Sequence, residues 1–397
     1  MTTNMHRIPA RLTRISAAAI LSVAGLASVS AAHADVTVGV ILSLTGPAAS
    51  LGKPAENTVR LWPQQIAGQK LKLVILNDNS DPTEAAKQAS KLINEEKVDV
   101  IVGSSVTPPS IAIMEAAGRS ATPLISLGGG NAIVEPQEGP RKWAFKMAAP
   151  ESLSVEKAVE HMKSHNIKKV GVVAVTTSYG EGFLKAFNTQ AQAKGINVVA
   201  TERIGPQDVS ATSQVLKLMA ANPDAVYIFS FGTPGATPHL ELVKRGYKGT
   251  IYQTHGVANA DFLRVGGKDV DGAYLAVSPV LVAEQLPDSH PSKKPGVEYV
   301  TKYEAKYGAG TRSQFGSTAW TALNWLEATI PVAAKKAAPG TPEFRSAMRD
   351  ALEGMKEVVS PEGVFNMTPQ NHNGLDARGQ VMVKIDGGKW KLVQDAK

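Results

Sequence analysis

The chain has 397 residues, 43% hydrophobic and 19% charged, with 35 Gly and 24 Pro. This composition excludes disorder, collagen and coiled coil, and the length suits two lobes better than one core. There is no cysteine, which removes disulfides, thiolate metal sites and a cysteine nucleophile, and the formal charge of +7 is partly temporary.

The temporary part lies at the start. Arg7, Arg11 and Arg14 precede an apolar stretch from Ile15 to Val29, and Ala32-His33-Ala34 has the small-x-small form of a cleavage site. Residues 1–34 are therefore expected to be a secretory signal peptide, leaving an exported protein that begins at Asp35. Without those three arginines the balance is 39 basic to 35 acidic side chains, or +4. That charge is too small and too dispersed to predict a nucleic-acid partner. No later stretch is long and apolar enough to predict a membrane span.

From residue 36 onward, strands alternate with helices. Val36–Leu42, Leu71–Leu76, Val98–Val102 and Pro123–Ser126 read as strands. Between them, Asp81-Pro82-Thr83-Glu84 opens a helix with an N-cap, a first-turn proline and a capping-box glutamate. The rhythm restarts at Lys169–Val175 and continues through Ile196–Thr201, Ala225–Phe229, Thr250–Gln253 and Gly272–Val277. A Pro/Lys/Ser-rich loop (287–295) precedes two helical patterns, one through Val300, Tyr303 and Tyr307, the other through Ala319, Trp320, Leu323 and Leu326. Residues 380–393 read as a hairpin turning at Asp386-Gly387-Gly388. The predicted fold class is α/β: two Rossmann-like lobes, each with a parallel central sheet.

Catalytic signatures are missing. No phosphate loop, GxGxxG, GxSxG elbow or HExxH occurs, so neither an enzyme nor a cofactor is expected. His161 and His165 are four residues apart on one predicted helix, a spacing that metal sites use. With no further ligand nearby, the pair reads as a solvated face, and no metal is expected. Three loops follow strand ends, where ligands sit in open parallel sheets. They are 43–52 (SLTGPAASLG), 103–110 (GSSVTPPS) and 128–131. The hydroxyls of Ser104, Ser105 and Thr107, with the N–H groups of the helix start behind them, suit a carboxylate; each hydroxyl could equally cap the helix.

These loops carry a family resemblance. VGVILSLTGPAASLG, LVILNDNSDPTEAAKQASKLI, VDVIVGSSVTPPS, TPLISLGGG, TSYGEGF and VMVKIDGGKWKLV occur in order behind the leader. Together they resemble the leucine/isoleucine/valine-binding proteins of ABC importers. The resemblance covers residues 35–397 and implies a type I periplasmic binding fold with a three-strand hinge. It implies lobes at 35–146 with 280–355 and at 147–279 with 356–397, a small-molecule ligand, an ABC permease as partner, and a monomer. Carried over position by position, the implied ligand-binding residues are Leu51, Ser105, Thr107, Gly128, Gly130, Tyr179, Phe231 and His255.

Two departures bear on the ligand. His255 stands where the amino-acid binders place a glutamate against the α-ammonium, and Gly130 stands where a threonine is common, which is expected to open space. An unpaired ammonium in a dehydrated cleft is costly. The expected ligand is therefore a carboxylate without an α-ammonium, such as an aromatic or keto acid. Branched-chain or other amino acids are the alternative, and a ligand-sensing domain for a membrane receptor is a third reading. A sensor is expected to carry a membrane-spanning or DNA-binding module, and none is seen in the sequence.

Overall fold

The computed structural model describes residues 35–393, so the predicted signal peptide lies outside the described residues. The first half runs β1 (Val36–Leu42), α1 (Ala49–Val59), β2 (Gln65–Ile66), β3 (Gln69–Asn77), α2 (Pro82–Asn94), β4 (Val100–Gly103), α3 (Thr107–Arg119), β5 (Leu124–Ser126) and β6 (Ala144–Lys146). Then follow α4 (Glu151–Ser164), β7 (Lys169–Val175), α5 (Ser178–Lys194), β8 (Asn197–Ile204), α6 (Thr212–Ala220), β9 (Ala225–Phe229), α7 (Ala236–Lys244), β10 (Thr250–Gln253), α8 (Ala260–Gly266) and β11 (Tyr274–Val277). The last part holds α9 (Lys293–Tyr307), α10 (Gln314–Ala334), α11 (Pro342–Glu353), β12 (Val358–Ser360), β13 (Gly363–Phe365), β14 (Val381–Asp386) and β15 (Lys389–Leu392).

Two sheets result. The first has the order β2-β3-β1-β4-β5-β6, parallel except for β2. The second has the order β15-β14-β11-β10-β9-β7-β8, parallel except for the β14–β15 hairpin. Helices cover both faces of each parallel sheet, so the central strands are near-continuous Val/Ile/Leu runs, as in VTVGVIL of β1, where six of seven residues are buried. In each sheet the strand order reverses beside the first strand of its lobe, at β1/β4 and at β7/β9. The two reversals put their strand-end loops on the ligand side of an open sheet.

Local signals were read correctly where capping decides the structure. The Asp81 carboxylate accepts the Glu84 N–H at 2.8 Å, with Pro82 at the first helical position. The predicted loop to residue 295 ends earlier, since α9 begins at Lys293. Pro295 sits in its first turn, where a missing N–H leaves no helical bond unmade. The histidine pair is also corrected. His161 is buried, its Nδ1 lies 2.8 Å from the Tyr252 hydroxyl, and its ring stacks on His165 and tilts against Tyr274. It is a core residue of the second lobe and not part of a solvated face.

The chain passes between the two sheets three times: after β6, between β11 and α10, and between β13 and β14. Helices α10 and α11 pack on the first sheet, where Trp325 meets Phe365 edge-on at 4.9 Å. Tyr299, Val300 and Tyr303 of α9 pack instead with β11 and the β14–β15 hairpin, while Phe365 and Met367 join the first core. Helix α9 also reaches the first lobe, where the Tyr307 hydroxyl donates to the Asn57 carbonyl at 2.8 Å and Tyr299 meets Thr58 and Trp320, so 293–307 bridges the two sheets while 365–367 packs with the first.

Candidate functional site

The loops at the strand ends face one another across a narrow cleft whose walls nearly touch, leaving only about 20 Å³ of free space. Of the residues singled out in the sequence, Leu51, Ser105, Thr107, Tyr179, Phe231 and His255 line it. They follow five strand ends: Leu51 in the first turn of α1 after β1, Ser105 and Thr107 after β4, Tyr179 after β7, Phe231 after β9 and His255 after β10.

The β4–α3 loop is held from behind by a buried network. The Ser104 hydroxyl donates to the Asp78 carboxylate and lies 3.3 Å from that of Ser43. Burial raises the Asp78 carboxyl above its ordinary range, and the serine hydrogen bonds oppose that rise. This leaves Ser105 and Thr107 at the cleft wall. Ser105 Oγ is buried without a hydrogen-bond partner among the described residues. Thr107 Oγ1 accepts the Gly130 N–H at 2.9 Å, so its own O–H remains to donate. The helix start contributes less than expected. Thr107 is its first residue, and Pro108 and Pro109, which follow, have no N–H to offer an anion.

The glycine loop is arranged differently from the expectation. A Cβ on Gly128 would meet Ser110 Oγ at 2.7 Å and Ile133 at 3.0 Å, so that residue faces α3 and the core. A Cβ on Gly130 would meet the Thr107 side chain at 2.5 Å, so the space expected there is filled by Thr107. Gly129 is the one at the cleft, and a Cβ there would lie 2.8 Å from His255 Nε2 and 2.9 Å from the Tyr179 ring.

The opposite wall is aromatic. Tyr179 stands edge-on to His255 (5.8 Å, 90°) and to Phe231 (6.1 Å, 87°). Its hydroxyl donates to Thr254 Oγ1 at 2.9 Å, which in turn donates to the Ser230 carbonyl. Burial pushes the phenol well above its ordinary pKa, so Tyr179 presents a ring to the cleft and keeps its proton. His255 is 2% exposed, and its Nδ1 has no hydrogen-bond partner among the described residues. Burial, with the nearby Lys146 charge, lowers its pKa to about 3, so the ring is a neutral donor–acceptor at physiological pH.

Sequence reading missed Gly129, Gln314, Phe315 and Thr318. The last three open α10, reached only after the chain has crossed back to the first lobe. A signal was present, because Gln314, Ser317, Thr318 and Thr321 are polar at helical spacing in a helix whose other buried residues, Thr329 apart, are apolar. No Asp or Glu lines the cleft, and no group of three metal-ligating side chains occurs among the described residues.

Comparison with known proteins agrees with this architecture. The sequence profile of the family described as periplasmic binding protein matches residues 35–389. The solved structure of Rp1789 from Rhodopseudomonas palustris strain CGA009 is 42% identical, with a TM-score of 0.88, covering 91% of this chain and all of that one. The Leu/Ile/Val-binding protein BraC3 of Rhizobium johnstonii is 23% identical over 92% of this chain and 96% of its own length. A solute-binding protein of an ABC transporter from R. palustris BisB5, solved in complex with 3,4-dihydroxybenzoic acid, is 21% identical with a TM-score of 0.75. The match covers 90% of this chain and 95% of that one.

Proposed function

The chain belongs to the periplasmic binding protein family, whose members bind small solutes, and we propose that this one captures an aromatic carboxylate and delivers it to an ABC-type permease. The observation that carries the proposal is the polarity of the cleft. Hydroxyl donors at Ser105 and Thr107 stand on one wall, aromatic rings at Tyr179, Phe231 and Phe315 line the others, and no carboxylate is present to receive an ammonium. A zwitterionic amino acid would bury its ammonium unpaired, whereas a benzoate-like acid matches both ends. His255, neutral and with no Nδ1 partner among the described residues, suits a ring hydroxyl or a carbonyl. The 3,4-dihydroxybenzoic acid held by the BisB5 protein is a precedent for such an acid in this fold.

In this proposal the leader directs export and is removed after Ala34, and the mature protein works as a monomer whose lobes close over the ligand. A second reading, a branched-chain amino acid, draws on the name of the Rhizobium relative. Its ammonium would have to be met by Glu151, which faces a neighbouring crevice and already accepts the Asn131 N–H at 2.8 Å. Titration calorimetry against benzoate, 3,4-dihydroxybenzoate, leucine, isoleucine and valine separates the two. Micromolar or tighter binding of an aromatic acid, with the amino acids inert, is expected; the reverse pattern overturns the proposal.

A further inference from the structure

Lys146 ends β6 beneath the glycine loop and is completely buried. An unpaired buried cation is costly, yet no carboxylate of the described residues pairs with this one. Its protons go to three carbonyl oxygens, Ala148 at 2.7 Å, Gly129 at 3.2 Å and Ala149 at 3.3 Å. The Gly129 carbonyl shares its peptide unit with the Gly130 N–H, which donates to Thr107 Oγ1 at 2.9 Å. A continuous path of polarised bonds thus runs from the ammonium through one peptide to the hydroxyl at the cleft wall. Each bond in such a chain strengthens the next.

We infer that Lys146 is the positive charge to which the ligand carboxylate responds, acting through the Gly129–Gly130 peptide and the Thr107 hydroxyl without touching the ligand. The inference rests on the carboxylate part of the proposed function and not on the aromatic part. It explains how an anion is held where Pro108 and Pro109 have removed two helix-start donors and no cation lines the cleft.

The role has a pH signature. Burial lowers the Lys146 pKa to about 8, against the pull of Glu151 and Glu135. The other titratable neighbours are His255, held to about 3, and His372, whose carbonyl accepts the Lys146 N–H and whose ring is held to about 4; both are neutral at pH 7–9. Burial raises Glu151. A carboxylate bound nearby favours the charged lysine and raises its pKa. Binding therefore takes up a proton at and above pH 8, and affinity falls by up to about tenfold per pH unit there while staying flat below.

The test is calorimetry of the whole protein at pH 6.5 and 8.5, in buffers of different ionisation enthalpy. The probes are benzoate, 3,4-dihydroxybenzoate, leucine and 4-methyl-2-oxopentanoate. Proton uptake at pH 8.5 and none at pH 6.5 is expected for whichever probe binds. K146M is expected to lose about ten- to a hundredfold in affinity together with the uptake. K146R should recover most of the affinity without uptake, since arginine stays charged. E151Q should keep the uptake. Absence of uptake in the unmodified protein, or its persistence in K146M, overturns the inference. If K146M does not fold, T107V decides, since cutting the path at its last bond should diminish the uptake, and undiminished uptake overturns the inference. Binding of leucine alone sinks the aromatic reading and still tests Lys146; binding of no probe sinks both.

Discussion

At Thr107 and His255 the two ends of the cleft make opposite demands on a ligand. Thr107 has its lone pair engaged by the Gly130 N–H and one proton to give. A donor to a charged oxygen is worth about 1.5–3 kcal/mol, so Thr107→Ala is expected to weaken an acid ligand about ten- to a hundredfold by calorimetry. An unchanged constant would mean that Ser105, whose hydroxyl has no partner among the described residues, carries the contact alone. His255→Glu places a carboxylate against the far end of the ligand. Benzoate-type acids should bind more weakly still, and leucine should gain affinity as its ammonium finds a partner. A variant that binds neither leucine nor valine any better than the unmodified protein would remove His255 from the specificity argument.

Elements were legible in the sequence wherever a local rule decides them. The β-branched runs became strands, and Asp81 capped α2 as its spacing required. The lining of the candidate site was legible where a residue follows a strand end, as Ser105, Thr107, Tyr179, Phe231 and His255 do. It was not legible where orientation or topology decides. Which of three consecutive glycines faces the cleft depends on backbone dihedrals that spacing does not encode, and the answer is Gly129. Gln314, Phe315 and Thr318 reach the cleft only because the chain crosses back, and a buried Lys146 reads in sequence like a solvated one. The β12–β13 turn hides a further case. Glu362 is fully buried with the Ser278 and Ser317 hydroxyls beside it, and burial raises its pKa to about 8. The unfolded chain ionises this group from about pH 4.5, whereas the folded chain does so only near pH 8, so the folded state holds the extra proton between them. Stability from this group is therefore lost as pH rises from about 4.5 to 8. Glu362→Gln escapes that loss. In urea titrations it should be less favourable than glutamate, or equal to it, at pH 5 and more stable at pH 8, the difference between the two pH values being on the order of a few kcal/mol. A pH-independent difference would show that Glu362 ionises normally.

The whole molecule turns on how closely the lobes approach. Gly129 of the first lobe lies against His255 and Tyr179 of the second, with no room for even a methyl group. Leu51 and Phe315 join the second lobe's core cluster, so the structure is that of lobes brought together over the cleft. A ligand shifts a two-state equilibrium only through its differential affinity for the two states, and contacts from both walls exist only when the lobes meet. Gly129→Ala tests this as a wedge. Its Cβ would sit 2.8 Å from His255 Nε2 and 2.9 Å from the Tyr179 ring when the lobes meet, and is relieved when they part. Overpacking of this kind costs about 1–3 kcal/mol, which lowers the apparent affinity by roughly five- to a hundredfold. Thr107 and His255 remain in place, so the loss comes from closure and not from removal of a contact. Small-angle scattering of the unmodified protein should show compaction on saturation with the acid that calorimetry identifies. The alanine variant should need correspondingly more ligand to reach the same compaction. If the variant closes at the same ligand concentration as the unmodified protein, the approach at Gly129 does not limit closure, and the lobes must meet by a different path.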